Sequence, residues 1–244
     1  MSEIYLKYKT ELDAVNKYIN NKYLYDIFHN YGFNFEGEFI EFNSNINIYE
    51  ACFISQLINI YINTYKTDKT LRIVEIGLAY GTSALVIINE MIKYKYKAKY
   101  VVVDPNQTEQ WKSIGMTNIK NFLQHMNSEL NIRLIEKYST VAMTKLKKKY
   151  DVSFIDGSHD EVIVMDDIKN SDRLLIKNGI MILDDVLHSG VRNAINRYFI
   201  NNNNYCRISI KEGKFIREDN LYTKDIIKQS FDNPKTMYCF QKLN

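Results

Sequence analysis

The chain has 244 residues, 45% hydrophobic and 25% charged, a balance that suits one well-buried soluble α/β domain spanning residues 1–244. Its 32 basic and 29 acidic residues nearly cancel to a net charge of +3, so the totals support neither a nucleic-acid partner nor a membrane surface. Three scattered cysteines, Cys52, Cys206 and Cys239, suit reduced thiols better than a disulfide framework or a zinc site, so any metal site must be built from oxygen.

The first residues, MSEIYLKYKTELD, carry acids early and no apolar leader core, and no run reaches the roughly 18 apolar residues of a membrane span. The expected location is the cytoplasm, or a host cytoplasm should the chain be viral. The abundance of Asn, Ile, Lys and Tyr, with only 2 prolines, reflects AT-rich coding and carries no chemistry.

Residues 1–65 read as a helical cap, with helix-like apolar spacing through Ile48 to Ile62 and an interruption at Tyr31 to Phe42. This segment either covers an active site or forms a homodimer contact. Across the catalytic core, 66–244, short apolar runs then recur at Leu71 to Ile76, Lys99 to Val103, Ile132 to Ile135, Val152 to Ile155, Ile180 to Leu183 and Arg207 to Ile210, with helical patterns between them. A last strand reads Met237 to Gln241. The fold class is α/β, Rossmann-like, a doubly wound sheet of seven strands with the last antiparallel. Residues 211–235 are polar and poorly periodic, either a lid or a surface excursion.

The stretch Leu71 to Ser83, LRIVEIGLAYGTS, joins an apolar strand to a helix start through a turn marked by Gly77 and Gly81. Glycines let the backbone bend sharply and approach a ligand, and Thr82 and Ser83 are expected to cap the helix that follows. The order Glu75-x-Gly77-x-x-x-Gly81-x-Ser83 lacks both the dinucleotide pattern and the lysine of a phosphate-gripping loop. A nucleotide-like ligand without a pyrophosphate grip is the expectation.

Open parallel sheets bind ligands at the carboxyl ends of their strands, where the chemistry-bearing residues of this chain gather. Asp104, before Pro105, is placed to accept hydrogen bonds from ribose hydroxyls; as a turn residue it would instead bond its own backbone. Tyr138 and Ser139 follow the third run. FIDGSH (154–159) and ILDDVLH (182–188) end runs expected to be neighbours, which would gather Asp156, Asp184 and Asp185. Unpaired carboxylates in close proximity repel, so the cluster calls for a hard cation such as Mg²⁺ or Mn²⁺. The plainer alternative is that Asp184 caps a helix and Asp185 is solvated. His159 and His188 lie at the same strand ends, and histidine can take a proton from a hydroxyl at neutral pH. Asp166 and Asp167 fall inside the next helix, as solvated or locally bonded residues. The lysines of Lys145 to Lys149 read as a solvated helix end.

These motifs resemble class I S-adenosylmethionine-dependent methyltransferases, especially the divalent-metal O-methyltransferases. EIGLAYGTSA (75–84) is similar to the first cofactor motif of catechol O-methyltransferase. FIDGSH, Asp167 and LLIKNGIMILDDV (174–186) resemble the sugar and small-molecule enzymes of glycan and macrolide pathways. The resemblance covers residues 45–210. It implies that Gly77, Tyr80, Gly81 and Ser83 meet the methionine part of the cofactor and that Glu75 orders its amino group. Asp104 would hold the ribose and Ser139 would lie near the adenine, with Tyr138 and Asp156 beside the cofactor. Asp156, Asp184 and Asp185 would ligate the metal. Two departures stand out: Ser158 replaces an Asp of one branch, and His159 replaces a catalytic Lys of the other, inheriting the base role by position. Asn178 replaces a glycine and tolerates the left-handed conformation. The implied reaction is O-methylation of a small hydroxyl acceptor, a sugar or glycan precursor. A metal-independent N-methyltransferase and a non-catalytic cofactor-binding partner protein remain as alternatives.

Overall fold

The computed structural model describes residues 46–68, 70–218 and 234–244. The expectations for residues 1–45 and 219–233 fall outside that set.

Helix α1 (Ile48–Tyr65) starts at a reciprocal cap, in which Asn47 Oδ1 accepts from the amides of Tyr49 (2.9 Å) and Glu50 (3.2 Å) while Glu50 Oε2 accepts from the Asn47 amide (2.7 Å). Strand and helix then alternate: β1 (Thr70–Ile76), α2 (Thr82–Lys93), β2 (Lys97–Val103), α3 (Ile114–His125), β3 (Ile132–Ile135), α4 (Ser139–Lys145), β4 (Tyr150–Ile155), α5 (Glu161–Leu174), β5 (Leu175–Leu183) and α6 (Ser189–Phe199). Three further strands close the sheet, β6 (Tyr205–Lys211), β7 (Lys214–Glu218) and β8 (Tyr238–Lys242).

The sheet order is β3-β2-β1-β4-β5-β8-β6-β7. Strands β1 to β5 pair in parallel, whereas β8 runs antiparallel to both β5 and β6. Period-two alternation divides the core. Ile73, Tyr100, Val102, Phe154 and Ile182 pack beneath α1, α2 and α3, while Val74, Val103, Ile155 and Leu183 pack beneath α4, α5 and α6. The order reverses at β1, which lies between β2 and β4, so the crevice of a doubly wound sheet opens at its carboxyl end.

Eight strands replace the seven expected. The added β7 forms a hairpin with β6 through Glu212 (φ +52°) and Gly213 (φ +69°), the paired positive angles of a two-residue primed turn. It is an edge strand with most positions exposed, so the apolar alternation that marks the inner strands is absent. No helix among the described residues is long and apolar enough to cross a membrane.

Asn178 takes φ +63° within β5, the left-handed angle expected for it. Asn178→Gly should leave thermal stability nearly unchanged. Asn178→Val, which sets a β-branched side chain at that angle, should lower it by about 1–2 kcal/mol in a denaturant titration.

Candidate functional site

The carboxyl ends of four strands, β2, β1, β4 and β5, remain joined beyond the sheet. The Gly77 amide donates to Val103 O (2.9 Å), the Asp156 amide to Ile76 O (2.8 Å) and the Asp184 amide to Ile155 O (3.0 Å). This zipper lines up the first residues after β1, β4 and β5. A Cβ on Gly77, at φ +86°, would stand 1.9 Å from Asp156 O, so only glycine lets the two backbones meet. Gly81 (φ +84°) faces Gly115, and a Cβ on Gly115 would fall 2.4 Å from Ala79 O. Gly115 was not foreseen, since nothing local to the sequence shows that α3 presses on the turn.

Gly81 is the N-cap of α2 and no side chain bonds there, so the expected capping by Thr82 and Ser83 is replaced by a different arrangement. The Ser83 hydroxyl points into the core and donates to Glu75, whose other oxygen accepts from Tyr100 Oη at 2.5 Å. Glu75 is fully buried, and that burial pushes its carboxyl up to about 7 against the lowering effect of these two hydroxyls.

Asp104 is buried, and its carboxylate serves the turn directly. Oδ2 accepts from the amides of Leu78 (3.0 Å) and Ala79 (3.1 Å) and from Gln107 Nε2 (2.9 Å), and Oδ1 from the Asn106 amide (2.8 Å). Of the two alternatives raised for Asp104, the structure shows the backbone-bonding one, and the residue also lines a cavity of about 400 Å³. Gly77, Trp111, Tyr138, Ser139 and Asp156 share that cavity wall. Glu75, Tyr80, Gly81 and Ser83 stand behind it; Tyr80 meets Trp111 edge-on at 5.2 Å. Trp111 was missed, although the chain's 1 tryptophan falling after the second strand is a visible signal.

Asp167 is fully buried beneath this wall, which removes the solvated one of the two alternatives raised for it. Burial pushes its carboxyl up to about 7, with the Ser139 hydroxyl beside it acting in the lowering direction.

Beyond Asp156 the acidic edge begins. Asp184 is buried, with Oδ1 accepting the Asp185 amide at 2.7 Å, and Asp185 takes φ +56°. Burial, and then repulsion from Asp185 on Asp156 and from Asp156 on Asp184, hold both carboxyls well above the usual carboxylate range. Glu50 of α1 joins them. It accepts from Thr236 Oγ1 and is raised by burial, with Asp185 adding repulsion. Glu50 escaped the sequence reading because a capping acid in the first turn of a helix already has a local explanation.

His159 Nε2 lies 2.7 Å from Asp185 Oδ2, and His188 Nε2 lies 3.8 Å from Asp185 Oδ1. The two imidazoles stack at 4.1 Å. A Cβ on Gly190 would stand 2.1 Å from His159 O, so α6 docks directly against the histidine loop. Among the described residues, His159, Asp185 and His188 form the group whose ligand atoms all lie within 4.8 Å of one another. Of the three aspartates expected to hold a metal, Asp185 belongs to this group and Asp156 and Asp184 fall outside it; the Asp156 carboxylate has no hydrogen-bond or ionic partner among the described residues and its neighbours are acids, a donor chemistry that suits a divalent cation.

Residues 74–186 match the family model described as Methyltransferase domain. No curated protein matches the chain. Among solved structures, an O-methyltransferase from Bacillus cereus in complex with S-adenosylhomocysteine is similar at a TM-score of 0.57 and 13% identity, covering 95% of this chain and 97% of that one. A putative O-methyltransferase from Klebsiella pneumoniae gives 0.56 and 14%, covering 96% and 90%. The O-methyltransferase TomG from Streptomyces achromogenes, in complex with S-adenosylmethionine, gives 0.56 and 10%, covering 92% and 91%. Residues 74–186 thus resemble a methyltransferase domain, and the chain has the fold of these solved structures.

Two outcomes test the wall. Asp104→Asn, which turns one acceptor oxygen into a donor, should weaken S-adenosylhomocysteine binding by about 1.5–3 kcal/mol in calorimetry and also lower the melting temperature. Asp167 binds its proton more tightly folded than unfolded, so its contribution to stability is complete below about pH 4 and is lost as pH rises through about 7. Melting curves of Asp167→Asn should show a flatter pH dependence across that window than the parent chain.

Proposed function

We propose that this chain transfers the methyl group of S-adenosylmethionine to a hydroxyl oxygen of a small molecule, a sugar or glycan precursor, with Mg²⁺ or Mn²⁺ at the acidic edge. The observation that carries this reading is the position of Asp156, which belongs to the wall of the cavity and to the carboxylate cluster at once. Donor and acceptor sites therefore share a wall. The names of the similar structures, O-methyltransferases holding S-adenosylmethionine or S-adenosylhomocysteine, support the same assignment.

When bound, the cofactor supplies an electrophilic methyl group, and a divalent cation lowers the pKa of an acceptor hydroxyl. The residues of this chain provide the remainder. Gly77, Asp104, Trp111, Tyr138 and Ser139 would hold the adenosyl and methionine parts, with Glu75 fixing Ser83 and the turn from behind. Asp156, Asp184 and Asp185 would hold the metal. With Asp185 Oδ2 taking the Nε2 hydrogen of His159, Nδ1 keeps its lone pair, and that atom would accept the proton leaving the hydroxyl. Asp185 also fixes the ring's direction, as a base requires.

The test is release of S-adenosylhomocysteine with a panel of sugar acceptors. Chelation with EDTA should abolish turnover and added Mg²⁺ or Mn²⁺ should restore it, whereas full activity in EDTA removes the metal from the proposal. Asp184→Asn should abolish metal-dependent turnover with little change in cofactor affinity. His159→Gln, which keeps hydrogen bonding without basicity, should lower kcat by about 10² to 10⁴; near-normal turnover would instead assign the proton to water.

A further inference from the structure

A second cavity, of about 460 Å³, lies at the amino end of the sheet, away from the cofactor site. Arg72, Lys99, Arg133 and the four lysines at 145, 147, 148 and 149 line it, and its wall contains no carboxylate. The register accounts for their convergence. Arg72 pairs directly with Lys99 across β1 and β2, and Arg133 of β3 pairs with Val101, two residues along β2 from Lys99. Alternation places Arg72, Lys99 and Arg133 on one face of three adjacent strands. Like charges on paired positions cost stability, so packing alone gives no reason for this arrangement.

Local partners explain part of the set. Arg72 Nη1 lies 3.8 Å from the buried Asp151, Lys149 Nζ donates to Arg173 O at 2.6 Å, and Lys145 ends α4, where the helix dipole favours a cation. Lys99, Arg133, Lys147 and Lys148 are exposed and have no ionic partner among the described residues. The carboxylates of Asp156, Asp184 and Asp185 lie at the opposite end of the strands.

We propose that this cavity binds a compact ligand bearing several phosphate groups. Lysine ammonium groups around one guanidinium fork are the donors that charge-assisted phosphate binding uses. The two tyrosines of the wall, Tyr100 and Tyr150, are 1% and 4% exposed, so no ring face is offered for base stacking. A recess suits a ligand small enough to enter it, in contrast to the flat charge of a bilayer or the convex backbone of a duplex.

Tripolyphosphate is the probe, titrated calorimetrically into the full chain. Binding is expected, weakening as salt rises from about 50 to about 200 mM, with S-adenosylhomocysteine affinity unchanged. The exposed double variant Lys99→Glu/Lys148→Glu should weaken it at least about 100-fold, from the loss of two charge-assisted contacts. The milder Lys147→Gln/Lys148→Gln should weaken it about tenfold, with melting temperatures confirming the fold of both. No binding of tripolyphosphate, or equal binding by the variants, overturns the proposal. Capture of a DNA duplex or of phosphatidylserine vesicles without tripolyphosphate binding overturns it too, and assigns the lysines to a macromolecular surface.

Discussion

The carboxylate of Asp104 is the interaction on which the cavity beside β1 depends. A turn with left-handed angles at Gly77, Ala79 and Gly81 directs amides away from the regular ladder, and those amides need acceptors. Asp104 supplies one to Leu78 and Ala79 from the neighbouring strand and takes a third bond from Gln107. The end of β2 thereby fixes the shape of the loop after β1. Charge-assisted bonds of this kind are stronger than neutral ones, and here they hold a ligand-facing loop without filling the cavity in front of it.

The parts of the fold legible in the sequence are those where burial imposes a pattern. The runs read at Leu71 to Ile76 and Val152 to Ile155 fall within β1 (Thr70–Ile76) and β4 (Tyr150–Ile155), because central strands of a sheet covered on both faces must be largely apolar. Strand β7 escaped because an edge position imposes no such demand. Asn178 was legible as a left-handed residue since few side chains tolerate that angle, and its φ of +63° agrees.

Part of the cavity wall was legible in the sequence, while the connections behind it were hidden. Gly77, Asp104, Tyr138, Ser139 and Asp156 do meet at one cavity, because strand ends of a doubly wound sheet converge. The tie from His159 to Asp185, the approach of Glu50 and the burial of Asp167 depend on tertiary placement, and no local spacing encodes them. Ser83 shows the same limit: a hydroxyl at a helix start reads as a cap, yet it donates to Glu75, a bond that only the buried strand neighbour makes available.

The contact between Gly77 and the carbonyl of Asp156 has an evolutionary implication. The separation of the two halves of the site is fixed by backbone against backbone, with no side chain between them. Side chains beyond the end of β5 can therefore change without moving the turn at Gly77. Residue 77 must stay glycine in any chain that keeps this geometry, whatever side chains change around it.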